Sequence, residues 1–142
     1  MKDSKSGNNI KTVFTIVVLV AVAALLVWGW FGTTIKAEEA AVKITGFSGQ
    51  EVEYSEILTV ELQDAQPNIM SKTVGFSVGG KKLGSFKTEK YGIAKIYLQN
   101  STGPFIIIGK SDGKWIILNT GDSSATRALF DEIIEKYEDS KP

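Results

Sequence analysis

A mainly β domain of about seven antiparallel strands, closed by a C-terminal α-helix and preceded by one transmembrane helix, is what this chain of 142 residues encodes. Three observations say so. An uncharged, apolar run fills residues 12–35. Short apolar runs separated by Gly, Asn, Asp and Pro follow from Val42 to Leu118, with the period-two alternation of half-buried strands. From Ala125 onward the apolar period changes to that of a helix. The length suits one domain plus an appendage, not two full domains.

The appendage comes first. Residues 1–11 are polar and rich in Ser, Gly and Asn, and read as a disordered tail. Residues 12–35 follow as the membrane helix. Its core, Val13–Gly32 (VFTIVVLVAVAALLVWGWFG), is 20 residues and rises about 30 Å as a helix, the thickness of a bilayer core. Its many β-branched residues would suit strands in water. In lipid each backbone donor and acceptor must be satisfied within the segment, so a helix wins. Trp28, Trp30 and Phe31 cluster at the end where amphipathic rings favour the headgroup layer. A cleaved leader would carry a shorter apolar core, and Ala37-Glu38-Glu39-Ala40 makes a poor cleavage site. Lys2, Lys5 and Lys11 precede the span, while Lys36 and Lys43 follow it. That excess puts the N-terminus inside and the domain outside the cell membrane.

Residues 36–41 read as a linker, and 42–142 as the domain. Val42–Phe47 is a strand, turned by Ser48-Gly49 into Gln50–Tyr54. Ile57–Leu62 alternates apolar and polar residues, and Asp64–Asn68, with Pro67, is a loop. Thr73–Val78 runs into Gly79-Gly80, and Gly84–Thr88 is a short strand. Gly92–Gln99 and Phe105–Gly109 are separated by Asn100-Ser101-Thr102-Gly103-Pro104. Asp112-Gly113 favours a tight hairpin into Trp115–Leu118. Beyond it, Ala128, Leu129, Ile133, Ile134 and Tyr137 form one helical stripe, with Asp122, Ser123 and Ser124 as candidate N-caps. Phe105, Trp115 and Phe130 are expected in the packing of this domain.

Three stretches carry a family pattern: Ile44–Ile57 (ITGFSGQEVEYSEI), Val74–Leu98 (VGFSVGGKKLGSFKTEKYGIAKIYL) and Gly103–Thr120 (GPFIIIGKSDGKWIILNT). Together they resemble the bacterial pleckstrin-homology (PH-like) domains that follow an N-terminal membrane segment. The resemblance covers about 100 residues and rests on strand rhythm and glycine positions. It implies a PH-like fold of two near-orthogonal antiparallel sheets capped by the C-terminal helix, and no catalytic signature. Eukaryotic members that bind phosphoinositides use a basic loop between the first two strands. Here that loop is Ser48-Gly49, flanked by Phe47 and Gln50, so this route is not expected.

Composition narrows the chemistry. With no Cys and no His, the chain has no disulfide, no thiolate nucleophile, and neither the commonest general base nor the commonest zinc ligand. Lys plus Arg equals Asp plus Glu, 16 each, which argues against nucleic acid as a partner. Gly75–Lys82 (GFSVGGKK) spells most of a phosphate loop, but Lys82 stands where Ser or Thr should hold magnesium, and no helix follows. A glycine turn is the expectation there. Lys72, Lys81, Lys82, Lys87, Lys90 and Lys95 face only Glu89 within their stretch, and form a candidate patch for anionic lipid or an acidic polymer. Glu51, Glu53, Glu56, Glu61 and Asp64 are a counter-cluster that suits self-association or a protein partner. No acid/base pair, metal site or cofactor motif is identified. The expectation is a membrane-anchored, non-catalytic binding or assembly module, attached to the lipid bilayer through residues 13–32. The alternative is a structural or regulatory subunit whose span, with its small residues Ala21, Ala23, Ala24 and Gly29, makes the key contacts.

Overall fold

The computed structural model describes the chain from Lys2 to Lys141, without the side chains of residues 2–8 and 28–31. The chain divides into two units, Met1–Gly32 and Thr33–Pro142. The first is helix α1, Lys2–Phe31. Within it Asn9–Val27, 19 residues with a mean hydropathy of 2.7 and none of it buried, is long and apolar enough to cross a bilayer. Thr15 Oγ1 donates to the Lys11 carbonyl at 2.9 Å, one turn back. The helix begins at Lys2, within the stretch expected as a polar tail. The side chains of Trp28, Trp30 and Phe31, expected in the headgroup layer, lie outside the described residues.

The second unit has nine strands among the described residues. β1 (Thr34–Ala37), β2 (Ala41–Thr45) and β3 (Gln50–Glu53) form an antiparallel sheet in that order. β1 was expected as the end of the span and the linker. Gly32 ends the helical run, and the β-branched Thr34 and Ile35 then pair with Thr45 and Ile44. After a single 3₁₀ turn at Tyr54–Glu56 come β4 (Ile57–Gln63), β5 (Ile69–Val78), β6 (Lys81–Thr88), β7 (Gly92–Leu98), β8 (Phe105–Lys110) and β9 (Trp115–Leu118). They make one six-stranded sheet in the order β4-β8-β9-β7-β6-β5. Helix α2 (Ser123–Ser140) closes the chain, capped by the Asp122 carboxylate, which accepts from Ala125 N at 2.8 Å.

The antiparallel expectation fails at one pair. β7 and β9 run parallel, Ala94 opposite Trp115 and Tyr97 opposite Leu118. The chain leaves β7, skips a slot to make β8, and hairpins back so that β9 fills the gap. The skipping loop must therefore pass over the end of β9, and Asn119 holds it there. This fully buried amide accepts from Gln99 N at 2.8 Å and donates to Asn100 O and Thr102 O, both at 3.0 Å. The Asn100 amide in turn donates to Gly121 O at 3.0 Å.

Alternation gives the large sheet two dry faces. Leu83, Tyr97, Leu118 and Ile106 point to one, where Val42, Ile44, Val52 and Tyr54 of the small sheet and Leu129 and Ile133 of α2 join them. Phe86, Ile96, Leu98, Phe105, Ile107 and Ile117 occupy the other. Curl covers that second face. A flat six-stranded sheet would hold its edges β4 and β5 about 24 Å apart. Gln63 and Ile69 also pair toward opposite ends, with Phe105 and Thr88. The five residues between them reach at most about 20 Å, so the edges must bend toward each other. Pro67 in this strap is buried, and its end is tied by Glu89 N donating to Asn68 O at 3.0 Å. Bending is eased where Gly75 opposes Gly84 on β5 and β6. A Cβ on either would sit 2.1 or 2.3 Å from a backbone oxygen of the other strand, and both have positive φ.

Asn119→Ala leaves one donor and two acceptors of the crossing loop without their side-chain partner. It should lower the unfolding free energy by about 2–4 kcal/mol, read by urea titration of the full chain in micelles. Gly84→Ala should cost at least about 2 kcal/mol in the same titration, through backbone clash and φ strain together.

Candidate functional site

The six lysines do not form one patch. By strand register Lys81, Lys87 and Lys95 fall on the face shared by Leu83 and Tyr97, whereas Lys72 and Lys82 fall on the face of Phe86 and Leu98. Lys90 sits in the turn after β6, its ammonium 5.4 Å from the centre of the Tyr91 ring. Lys81 is only 3% exposed, and its ammonium donates to Gln99 Oε1 at 2.8 Å. Burial pulls its pKa below the ordinary lysine value. Lys95 is half-buried and donates to Ser48 Oγ at 3.0 Å. Lys72, Lys87 and Lys90 are exposed, and Lys82 partly so. Gly79 and Gly80, the centre of the phosphate-loop-like string, form the β5–β6 hairpin turn, both with positive φ.

Lys95 belongs to a polar clamp between the sheets. Tyr97 Oη donates to Ser48 O at 2.6 Å and accepts from Gln50 Nε2 at 3.0 Å. Ser48 has φ of +59° without being glycine, a conformation these contacts hold in place. Phe47, beside it, is exposed. A second clamp is Tyr54, whose hydroxyl donates to Glu38 O at 2.8 Å. Burial first, then the carboxylates of Glu132, Glu39 and Glu38, push its pKa up to about 12. Burial also raises Tyr97, against the hydrogen bonds from Gln50 and to Ser48.

Two depressions were not read from the sequence. One, of about 490 Å³, is lined by Gln63, Gln66, Pro67, Asn68, Glu89, Lys90 and Tyr91. It lies where the strap meets the β6–β7 turn, with Asn68 Nδ2 donating to the Glu89 carboxylate at 2.6 Å and Tyr91 packed 4.6 Å from Trp115. The other, about 200 Å³, is lined by Thr34, Lys36, Glu38, Lys43 and Thr45 on the small sheet. The acidic counter-cluster is also scattered: Asp64 pairs with Arg127 at 3.1 Å, while Glu51 and Glu53 lie on β3. Among the described residues no three Asp or Glu side chains converge as metal ligands would. The chain matches no family model, no curated protein and no solved structure.

The two tyrosines set an alkaline limit. An unfolded phenol loses its proton near pH 10, whereas Tyr54 keeps it to about pH 12. Above the unfolded value the unfolded chain therefore binds fewer protons, and stability falls with rising pH through that window. Lys81 acts with the opposite sign, since its folded pKa lies below the unfolded one and stability rises as pH approaches 10.5. Urea titrations of the full chain in micelles should show stability declining from pH 10 to 12. Tyr54→Phe should remove roughly 2 kcal/mol of that decline.

Proposed function

We propose that this chain is a single-pass membrane protein presenting a PH-like domain as a non-catalytic binding or assembly module, N-terminus inside and domain outside. The observation that carries it is the joining, within three residues, of an apolar helix fit to cross a bilayer to a folded β unit. Two sheets followed by a C-terminal helix support the PH-like reading; the parallel β7–β9 pair is where this chain departs from it. Clamps at Tyr97 and Tyr54 and the Asn119 hub tie the loops of the unit to its sheets. The exposed lysines Lys87 and Lys90 and the depression beside Tyr91 are the surfaces such a module offers.

Two measurements test this. With Ser140→Cys, an impermeant thiol reagent should label intact cells; labelling only after lysis would reverse the orientation. Photo-crosslinking residues placed at Lys87 and Lys90, and separately at Ala23, should capture a partner from the domain positions. Capture from Ala23 alone would assign the contacts to the span and overturn the module.

A further inference from the structure

We propose that the outer face of β1 and β2 seats the phosphate of an anionic phospholipid headgroup between Lys36 and Lys43, flanked by Thr34 and Thr45. The register sets Lys36 directly opposite Lys43 and Thr34 directly opposite Thr45, and these four residues with Glu38 line the 200 Å³ groove. Like charges directly opposed across strands destabilise a sheet. Neither ammonium has a hydrogen bond or ion pair among the described residues. An anion between them removes that repulsion, and two ammoniums with the Thr34 hydroxyl suit the oxygens of a phosphate, while the Thr45 hydroxyl donates to Thr34 O at 3.4 Å and closes that end of the groove.

Chain length selects a lipid as its source, a step that rests on reading α1 as a membrane span. α1 ends at Phe31 and Thr34 follows three residues later, at most about 10 Å of extended chain. Thr45, paired with Thr34, comes with it. Moving along β1 from the span, the groove presents the hydroxyl of Thr34, then the ammonium of Lys36, then the carboxylate of Glu38. Opposite, β2 runs from the Thr45 hydroxyl to the Lys43 ammonium, with Glu51 facing Lys43 from β3. Thus, by register along the β1–β2 hairpin, Lys36 and the Lys43 opposite it come before the Glu38 carboxylate that lines the groove, an order that favours an anionic surface at the Thr34 end.

Lysine acetylation, read by mass spectrometry, tests this on the full chain in nanodiscs. Lys36 and Lys43 should react about fivefold more slowly in phosphatidylglycerol than in phosphatidylcholine, while Lys114 on the β8–β9 turn serves as the unprotected reference. Native mass spectrometry should find phosphatidylglycerol retained by the wild type and lost with Lys36→Gln/Lys43→Gln. Equal reactivity in the two lipids overturns the headgroup seat but leaves the span intact. Equal protection by inorganic phosphate in phosphatidylcholine overturns the lipid as source. A chain that does not enter nanodiscs at all overturns span and seat together.

Discussion

Everything in the β unit answers to the need to keep both faces of its central strands dry. β8 is buried at five successive residues from Phe105 to Gly109, and β9 at three, Ile116 to Leu118. A strand apolar on both sides cannot sit at a surface. One face takes the small sheet and α2, and the other is closed by curling the sheet, with Ile69, Tyr91 and Trp115 packed against it. With each buried aliphatic side chain worth about 1.5–3 kcal/mol, these two clusters are the main driving force. The same dryness makes every polar group inside them expensive unless paired, which is why Asn119 spends its amide on three backbone groups.

The two open ends of that design are handled by α2. Tyr137 Oη donates to Leu58 O at 3.0 Å at the β4 edge, and Lys136 Nζ donates to Ala37 O at the end of β1. Edge carbonyls that would otherwise solicit another strand are thereby occupied. β5 is treated differently: register shifts at Ile69/Ser71 and Lys72/Val74 break its regularity, and Lys72 adds a charge. One helix thus serves as core lid and edge guard. Its buried face, Thr126, Leu129 and Ile133, follows the stripe that the sequence shows, except that Ala128 faces solvent.

Local features were legible in the sequence and non-local ones were not. Trp115–Leu118 was bounded to the residue, because Asp112-Gly113 is a turn signal and the run is purely apolar. β1 was hidden, because Thr34 and Ile35 continue an uncharged run and only pairing with β2 separates them from the helix. The start of β5 was missed, since Ser71-Lys72 looks like loop and bulges break its period. Parallel pairing of β7 with β9 has no local signature at all. The fate of the lysines was half legible. Adjacent Lys81 and Lys82 must face opposite sides of any strand, which already splits a patch. The burial of Lys81, however, depends on Gln99 arriving from β7's far end, and no spacing announces that. The Lys36–Lys43 pairing is hidden for the same reason as β1.

The slot filled by β9 also orders events in time. During synthesis β4 can pair with β8, and β5, β6 and β7 can form their meander, as soon as each has left the ribosome. These remain two separate pieces, each with an inner edge bare, until Trp115–Leu118 has been made and inserted between them. The bared edges belong to β7 and β8, among the most apolar strands in the chain. A ribosome that stops short of residue 115 therefore releases not a slightly weakened domain but two sticky half-sheets on one tether.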